Sequence, residues 1–271
     1  MRRARLDAEL VRRGLARSRG QAADLVAAGL VKVGGQVATK AATAIGADEP
    51  VVLVESRGGQ PDYVSRGGHK LAGALAAFTL SGLRVNGRRC LDAGASTGGF
   101  TDVLLRAGAR SVVAVDVGYG QLAWPLRTDP RVVVIDRTNA RDLTPATVGL
   151  GGQLMDVVVG DLSFISLTVV LPALASVAAD DADLVLMVKP QFEVGRARVG
   201  PGGVVRDPDL RAEAVREVAA AAWALGLGSR GVVASPLPGP AGNVEYFLWL
   251  CKGAPPLDEA DLVRAVSEGP S

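Results

Sequence analysis

The chain has 271 residues, of which 48% are apolar and 21% are charged, and its formal net charge is +2. This composition excludes an intrinsically disordered chain and is typical of a globular protein. The length is sufficient for an α/β core and a small second domain, so we predict two domains.

The basic residues are concentrated at the start of the chain. Residues 1–40 contain nine Lys or Arg and three acidic residues, a net charge of +6, which leaves −4 for the rest. A basic segment joined to a slightly acidic body favours a module that binds a polyanion. A solvated basic helix is the alternative interpretation.

Three features bear on the compartment and on membranes. Cys90 and Cys251 lie too far apart for a disulfide framework or a metal-ligand cluster. The start MRRAR is followed by charged residues, where a signal peptide would need apolar ones. Residues 162–179 carry no charge, but Pro172 and four hydroxyl side chains interrupt them. We therefore predict a cytoplasmic protein with no membrane span and no bound metal.

Residues 5–55 predict two short helices followed by a hairpin. Ser18 and Gln21 form a capping box that would start the second helix. Gly34 and Gly35 lie between β-branched residues and predict a two-residue turn, and residues 51–54 supply a further strand. This order, with its interleaved arginines, resembles the S4 RNA-binding domain. The resemblance implies an α+β RNA-binding domain, with its linker, over residues 1–60. The side chains expected to contact RNA are Arg3, Arg5, Arg12, Arg17, Arg19, Lys32 and, beyond the linker, Arg66.

Strands and helices alternate in the second predicted domain, residues 61–271. Strands are expected at 90–93, 111–116, 132–136, 155–161, 183–189, 230–234 and 244–251. Helices are expected at 69–80, 98–107, 120–127, 166–179 and 208–225. The alternation indicates an α/β fold with a doubly wound, mostly parallel sheet, in which ligands bind beyond the carboxyl ends of the strands.

The turn after the first of these strands is rich in glycine. Residues 90–100 read CLDAGASTGGF, which has neither the dinucleotide spacing G-x-G-x-x-G nor the P-loop ending G-K-[ST]. Asp116 ends the next strand, where nucleoside-binding sheets place a carboxylate that accepts hydrogen bonds from ribose hydroxyls. Glycines in such a turn let a ligand approach the backbone. The pattern therefore indicates an adenosine-containing ligand, with a purely structural turn as the alternative.

Four charged residues lie on or beside segments that are predicted to be buried. They are Lys70, Asp161, Lys189 and Glu245. A lone buried charge costs several kcal/mol unless it is paired, so we expect these residues to pair with one another at one edge of the sheet. Exposed positions at the ends of elements are the alternative.

Together the motifs resemble one known family. The stretches SRGGHKL, LDAGASTGGFTDVLL, VDVGYGQLAW, DLSFISL, VKPQFEVG and SPLPGPAGNVEYFLWL, with an S4-like segment before them, are similar to the TlyA (hemolysin A) family. Its members are ribosomal RNA 2′-O-ribose methyltransferases with an FtsJ/RrmJ-like catalytic domain. The resemblance implies a Rossmann-like class I methyltransferase that uses S-adenosylmethionine. It also implies a ribose 2′-OH of cytidine in 16S and/or 23S rRNA as the acceptor, within 30S and/or 50S subunits, a link to capreomycin susceptibility, and a monomer.

The resemblance also implies roles for individual residues. Lys70, Asp161, Lys189 and Glu245 would form the catalytic tetrad, with Lys189 as the base that acts on the hydroxyl. The residues expected to bind the cofactor are Asp92, Gly94, Ala95, Ser96, Gly98, Gly99, Phe100, Asp116 and Asp161. Tyr63 stands where other family members carry tryptophan, and we expect Trp124, Trp223 and Trp249 in the core.

Two other functions are compatible with parts of the pattern. One is an RNA-binding ribosome assembly factor with an inactive second domain, which the presence of all four tetrad residues disfavours. The other is a pore-forming haemolysin, which the missing signal and the missing spanning helix disfavour.

Overall fold

The computed structural model describes residues 3–16, 18–27, 29–46, 48–53, 63–148 and 153–270. The chain divides into two compact units, Met1–Asp62 and Tyr63–Ser271. Both are described separately below.

The first unit packs two helices on short antiparallel strands. Its elements are β1 (Arg3–Arg5), α1 (Leu6–Arg12), α2 (Arg19–Ala27), β2 (Val31–Val33), β3 (Gln36–Val37), β4 (Ala44–Gly46) and β5 (Val51–Leu53). Strand β1 pairs with β4, and β2 lies between β3 and β5. The predicted cap is present, because the Gln21 amide donates to Ser18 Oγ at 3.1 Å. Strands β1 and β4 were not predicted because three residues are too few for an alternating pattern.

The second unit is built on a seven-stranded sheet. Its strands are β6 (Arg89–Ala93), β7 (Ser111–Val115), β8 (Val132–Ile135), β9 (Met155–Gly160), β10 (Ala178–Val188), β11 (Leu227–Ala234) and β12 (Tyr246–Lys252). Its helices are α3 (Arg66–Thr79), α4 (Gly99–Arg106), α5 (Trp124–Arg127), α6 (Pro145–Val148), α7 (Leu167–Val177), α8 (Pro190–Glu193), α9 (Pro208–Ala224) and α10 (Glu259–Ser267). The strand order is β11-β12-β10-β9-β6-β7-β8. The pairs from β10 to β8 are parallel, and β12 is antiparallel to both of its neighbours. The predicted mostly parallel α/β sheet is confirmed.

Strand β9 shows why the sheet is covered on both faces. Its residues are almost all buried, as is usual for a parallel strand with helices on either side. Val157 and Val159 pack in the same core as α3 and α4. Val158, which points to the other face, packs in the core that contains α7 and α9. The continuous valine run therefore contributes side chains to the cores on both faces of the sheet.

Several boundaries differ from the prediction. Helix α3 begins at Arg66, three residues before the predicted start at 69. Strand β10 begins at Ala178 rather than at 183, because Asp180 and Asp181 in its first half are exposed and interrupt the apolar pattern. Strand β12 begins at Tyr246, so Glu245 precedes it rather than interrupting it. Helix α10 was not predicted.

The tryptophans divide between the core and the surface. Trp249 is buried, as predicted, and donates to Asp183 Oδ1 at 2.7 Å. The core prediction is wrong for the other two, because Trp124 is 73% exposed and Trp223 is 52% exposed. Both lie on the outer sides of helices, and hydrophobicity alone did not indicate which face they occupy.

Candidate active site

The first charged pair lies at the end of the sheet where the parallel strands finish. Lys70, in the second turn of α3, places its Nζ 2.5 Å from Glu245 Oε2. Both side chains are buried, with 8% and 1% of their surface exposed. Glu245 directly precedes β12, and Tyr246 is in register with Val188 at the end of β10. The expectation that these buried charges pair is confirmed by this contact.

The second pair joins the ends of β9 and β10. Lys189 Nζ lies 2.5 Å from Asp161 Oδ1 and donates a hydrogen bond to Ser163 Oγ at 2.9 Å. Asp161 Oδ1 is buried, and its partner among the described residues is the Lys189 ammonium in an ion pair rather than a hydrogen-bond donor.

The two ion pairs lie side by side at the carboxyl end of the parallel strands. Lys189 follows Val188 and Glu245 precedes its register partner Tyr246, so β10 and β12 place both residues at one edge. A methyl group added at Gly67, one turn before Lys70, would lie 3.9 Å from Asp161 Oδ2. The four residues thus lie at the carboxyl end of the parallel strands, where they form two ion pairs.

A cavity of about 120 Å³ lies beside Asp161. It is lined by Ser65, Gly67, Gly94, Ala95, Ser96, Thr97, Gly99, Phe100 and Asp161. Six of these were predicted as cofactor ligands, whereas Ser65, Gly67 and Thr97 were missed. The signal for Ser65 and Gly67 was the SRGG stretch at the start of α3, with Ser65 as the N-cap, which places a helix N-terminus at the cavity.

The glycines of the turn allow its backbone to pack closely on neighbouring segments. Gly94 has φ +84°, and a Cβ there would lie 2.6 Å from the Asp161 carbonyl oxygen. A Cβ on Gly99 would lie 2.8 Å from the Gly68 amide nitrogen. Gly98 has φ +96° and caps α4, but it does not line the cavity. The predicted turn therefore forms a cradle between α3, α4 and the end of β9.

The two predicted cofactor aspartates have different surroundings. Asp116 accepts hydrogen bonds from the Ser96 amide at 2.8 Å and the Gly118 amide at 2.7 Å, which ties the glycine turn to β7. Asp92 is fully buried, accepts from Thr101 Oγ1 at 2.7 Å, and does not line the cavity. Burial raises the pKa of Asp92 to about 7, against the opposing hydrogen bond from Thr101.

Phe164, an exposed aromatic residue, follows Ser163, which contacts Lys189, and it was not singled out from the sequence. Phe164 is 92% exposed, has φ +65°, and packs against Phe192 with the ring centroids 5.3 Å apart. Positive φ in a bulky residue costs about 1–3 kcal/mol and is concentrated at functional sites. Among the described residues, the other non-glycine positions with positive φ are Ser96 and Arg137, which also follow parallel strands.

Two aromatic side chains near the glycine turn lie on different surfaces. Phe100 is buried, lines the cavity and packs on Phe247 with centroids 5.9 Å apart. Tyr119 is 66% exposed and stacks with the Arg137 guanidinium, which lies 4.4 Å from the ring centroid. Phe100 is thus a wall of the cavity, and Tyr119 is a surface residue.

Tyr63 holds the start of the second unit against α3 and α4. Its ring meets His69 edge-on, with centroids 5.1 Å apart, and lies under the Arg106 guanidinium at 4.9 Å. A Cβ on Gly68 would lie 2.5 Å from Tyr63 Cβ. His69 is therefore a packing partner of the segment that leads to the cavity.

The predicted RNA-binding side chains are partly engaged within their own units. Arg5 and Arg19 bind Asp7 at 2.8 and 3.0 Å, and Arg12 binds Glu9 at 2.5 Å. The Arg12 hydrogen bond lowers the pKa of Glu9 to about 2. Each of these arginines remains more than half exposed. The other predicted residues are Lys32, which lies in β2, Arg66, which donates to Pro238 O at 2.6 Å, and Arg3 and Arg17, whose side chains lie outside the described residues.

The part of the chain that the structure describes contains neither a metal-binding cluster nor a membrane-spanning helix. No cluster of three or more His, Cys, Asp or Glu side chains in the described part of the chain is arranged to hold a metal ion. Within the same residues, no helix is both long and apolar enough to cross a bilayer.

A glycine cradle at the edge of a seven-stranded, mostly parallel sheet, beside paired lysines and carboxylates, defines a class I methyltransferase. The profile of the FtsJ-like methyltransferase family matches residues 63–252, and that of the S4 domain matches residues 4–51. The chain belongs to the TlyA family of FtsJ-like methyltransferases, which confirms the resemblance of the sequence motifs.

Individual relatives cover almost the whole chain. It is 61% identical to the 16S/23S rRNA (cytidine-2′-O)-methyltransferase TlyA of Mycobacterium tuberculosis, over 99% of each chain. It is 42% identical to a candidate rRNA methyltransferase, YqxC, of Bacillus subtilis, over 97% of this chain and 93% of that one. A solved structure of a candidate hemolysin from Streptococcus thermophilus is 38% identical and has a TM-score of 0.77, covering 99% of this chain and 96% of the other.

Proposed function

We propose that this protein transfers a methyl group from S-adenosylmethionine to the 2′-OH of a cytidine ribose in 16S and/or 23S rRNA. The observation that carries the proposal is the pairing of Lys70 with Glu245 and of Lys189 with Asp161 beside a glycine cradle. The substrate class follows the name of the 61% identical relative. The protein would act in the cytoplasm on 30S and/or 50S subunits, and its loss would change capreomycin susceptibility.

The residues of the cradle suit S-adenosylmethionine. Gly94 and Gly99 line the cavity without a side chain, so a ligand there can approach the backbone, and the Asp161 carboxylate in the cavity wall can accept from an ammonium group. The N-terminus of α3, with Ser65, suits the carboxylate of the methionine moiety. Asp116, at the end of β7, would receive the ribose hydroxyls. The bound cofactor supplies an electrophilic methyl group on a sulfonium ion.

The tetrad supplies orientation and proton transfer. A ribose hydroxyl is a weak nucleophile, so it must be aimed in line and must lose its proton as the new bond forms. Lys189 in its neutral amine form is the proposed acceptor of that proton. Ser163 and Asp161 hold the amine in place, and the Asp161 carboxylate stabilises the ammonium ion that forms. Glu245 holds the Lys70 amine in place through the other ion pair. Each lysine keeps a partner in a mostly dry site, which limits the cost of burying its charge.

Recognition of the RNA would divide between the two units. The exposed arginines of the S4 unit would contact phosphates, which positions the RNA without reading its sequence. Phe164, exposed next to Ser163 and Lys189, would stack on the target base once that nucleotide has rotated out of its helix. The strained backbone at Phe164 supports this role.

The test is transfer of labelled methyl from S-adenosylmethionine to isolated 30S and 50S subunits, followed by mapping of the modified ribose. Lys189→Ala should lower turnover by about 10²–10⁴-fold, the usual contribution of general acid–base catalysis, while cofactor binding is retained. Lys252→Ala is the matched control, since Lys252 is exposed and pairs with Asp180 at the opposite edge of the sheet.

The outcomes separate the competing functions. Unchanged turnover of Lys189→Ala would remove this lysine from the mechanism. If the wild-type protein binds subunits but neither binds S-adenosylmethionine nor modifies RNA, it is a non-catalytic assembly factor. Transfer of the label to a base rather than to a ribose would overturn the proposed acceptor.

A further inference from the structure

Glu193 is a mostly buried carboxylate close to the catalytic pairs that has no part in the mechanism above. It ends α8, the one-turn helix that begins directly after Lys189. Its Oε1 accepts from the Leu167 amide at 3.0 Å, and its Oε2 accepts from Ser166 Oγ at 2.6 Å. Burial raises the pKa of Glu193, and these two hydrogen bonds oppose that effect. The carboxylate therefore links α8 to the first residues of α7.

Two short segments thus face each other over their whole length. The first, residues 161–167, connects β9 to α7, and the second, residues 189–193, follows β10. Lys189 joins them at one end through Asp161 and Ser163, and Glu193 joins them at the other. In the middle, the Phe164 and Phe192 rings pack at 5.3 Å. The contacts form a clasp with the catalytic lysine at one end.

The loop 161–167 needs such a fixed end. It contains no helix or strand before α7, and it includes Phe164 in a strained conformation. Strain of about 1–3 kcal/mol persists only where the surroundings hold the backbone in place. Helix α7 is anchored in the core by Leu167, Val170 and Leu171. Glu193 accepts hydrogen bonds from the N-terminus of α7. It therefore fixes the position of residues 189–193 relative to a helix that is anchored in the core.

We propose that Glu193 is a positioning residue that holds the 161–167 loop against residues 189–193, so that Asp161 and Ser163 keep the Lys189 amine aimed at the ribose hydroxyl. The inference rests on the proposed function. Glu193 does not touch the reacting atoms, and its effect is transmitted through Lys189.

Kinetics of subunit methylation test the proposal. Glu193→Ala should lower kcat by about 10²-fold, the scale of a displacement of about 1 Å at a catalytic group, with the KM for S-adenosylmethionine within about twofold. Glu193→Gln keeps one acceptor and should recover most of that loss. The matched control is Glu213→Gln, because Glu213 lies on α9 and pairs with the exposed Arg198. A kcat of Glu193→Ala within twofold of wild type would overturn the proposal.

A double-variant cycle separates positioning from general destabilisation. In a Lys189→Ala background, Glu193→Ala should produce almost no further loss of kcat, because residues that act as a unit are not additive. A further loss as large as that in the wild-type background would mean that Glu193 acts independently of Lys189, and would overturn the proposal.

A measurement that does not depend on methyl transfer separates this inference from the proposed function. Acylation of Lys189 by an amine-reactive ester, located by peptide mass spectrometry, should be at least about tenfold faster in Glu193→Ala than in wild type, since the amine is released from its partners. Acylation of the exposed Lys252 should not change. If wild type modifies no RNA but this difference is found, the proposed function fails and the clasp stands. Equal acylation of Lys189 in both proteins overturns the clasp.

Discussion

Lys70 Nζ and Glu245 Oε2 lie 2.5 Å apart, although 175 residues separate them in the chain. One residue is carried by the first helix of the second unit and the other precedes the strand that completes the antiparallel side of the sheet. The contact requires α3 to pack on the sheet with β12 in its place between β10 and β11. Loss of this contact should therefore affect both the stability of the fold and the geometry of the site.

Removing one partner of this buried pair should destabilise the protein strongly. Glu245→Leu or Lys70→Met leaves an uncompensated charge, which typically costs about 3–5 kcal/mol in the free energy of unfolding. The double variant, Lys70→Met with Glu245→Leu, should recover most of that stability, because both charges are gone. It should recover no methyl transfer, since Lys70 belongs to the tetrad. Urea unfolding and subunit methylation measure the two effects. A double variant less stable than both single variants would contradict this coupling.

The two ion pairs, Lys70 with Glu245 and Lys189 with Asp161, were predictable as pairing of charged residues because charged side chains stand beside apolar, buried segments. A lysine or a carboxylate at the end of a buried apolar strand needs an oppositely charged partner. In a parallel sheet the carboxyl ends of the strands lie together, so such residues can pair there. The pairing of Lys189 with Asp161 follows from β9 and β10 being neighbours. Which lysine pairs with which carboxylate was beyond the pattern, because it depends on side-chain directions at the sheet edge.

Other parts of the site left no periodic signal. Glu193 accepts hydrogen bonds from Ser166 and Leu167, which lie 27 and 26 positions before it in an irregular connection and at the start of α7. Asp92 lies near the end of β6 and Asp116 directly follows β7, yet Asp92 is buried and accepts from Thr101, whereas Asp116 accepts from the Ser96 amide of the turn. Trp124 and Trp223 are exposed because helix faces depend on neighbours that a local pattern does not include.

Gly94 should tolerate no side chain. Gly94→Ala would place a methyl group 2.6 Å from the Asp161 carbonyl oxygen and force alanine into a left-handed conformation, φ +84°. We expect the affinity for S-adenosylmethionine to fall by more than about tenfold, which is 1.4 kcal/mol. Gly253→Ala is the control, with φ +74° and no atom within 4 Å of the new methyl group. It carries the same backbone strain, about 1–2 kcal/mol, without the collision. Isothermal titration of both variants checks this, and equal losses would refute the cradle.

Asp92 should make the protein less stable as the pH rises. Its pKa is about 7 in the folded protein and 3.8 ordinarily, so between these values the folded state binds a proton that the unfolded state lacks. The stabilisation is complete below pH 3.8 and is lost as the pH rises to about 7, by an amount on the order of 3–4 kcal/mol. Asp92→Asn removes this titration. The difference in unfolding free energy between Asp92→Asn and wild type should therefore grow in favour of Asn from pH 4 to pH 7. Urea titrations at several pH values measure it, and parallel curves would show that Asp92 is ionised in the folded state.

The S4 unit should be needed for RNA but not for the fold of the second unit. The fragment Tyr63–Ser271 contains both apolar cores of the seven-stranded sheet and all four tetrad residues. We expect it to unfold cooperatively and to bind S-adenosylmethionine as tightly as the full chain, because the cavity is lined by residues 65–161 alone. Modification of ribosomal subunits should be lost. The binding of subunits should also lose much of its salt dependence, since each phosphate contact contributes about −0.7 to −0.9 to the slope of log K against log salt. Filter binding at several salt concentrations gives this slope. A fragment that modifies subunits at the full rate would show that the S4 unit does not anchor the RNA.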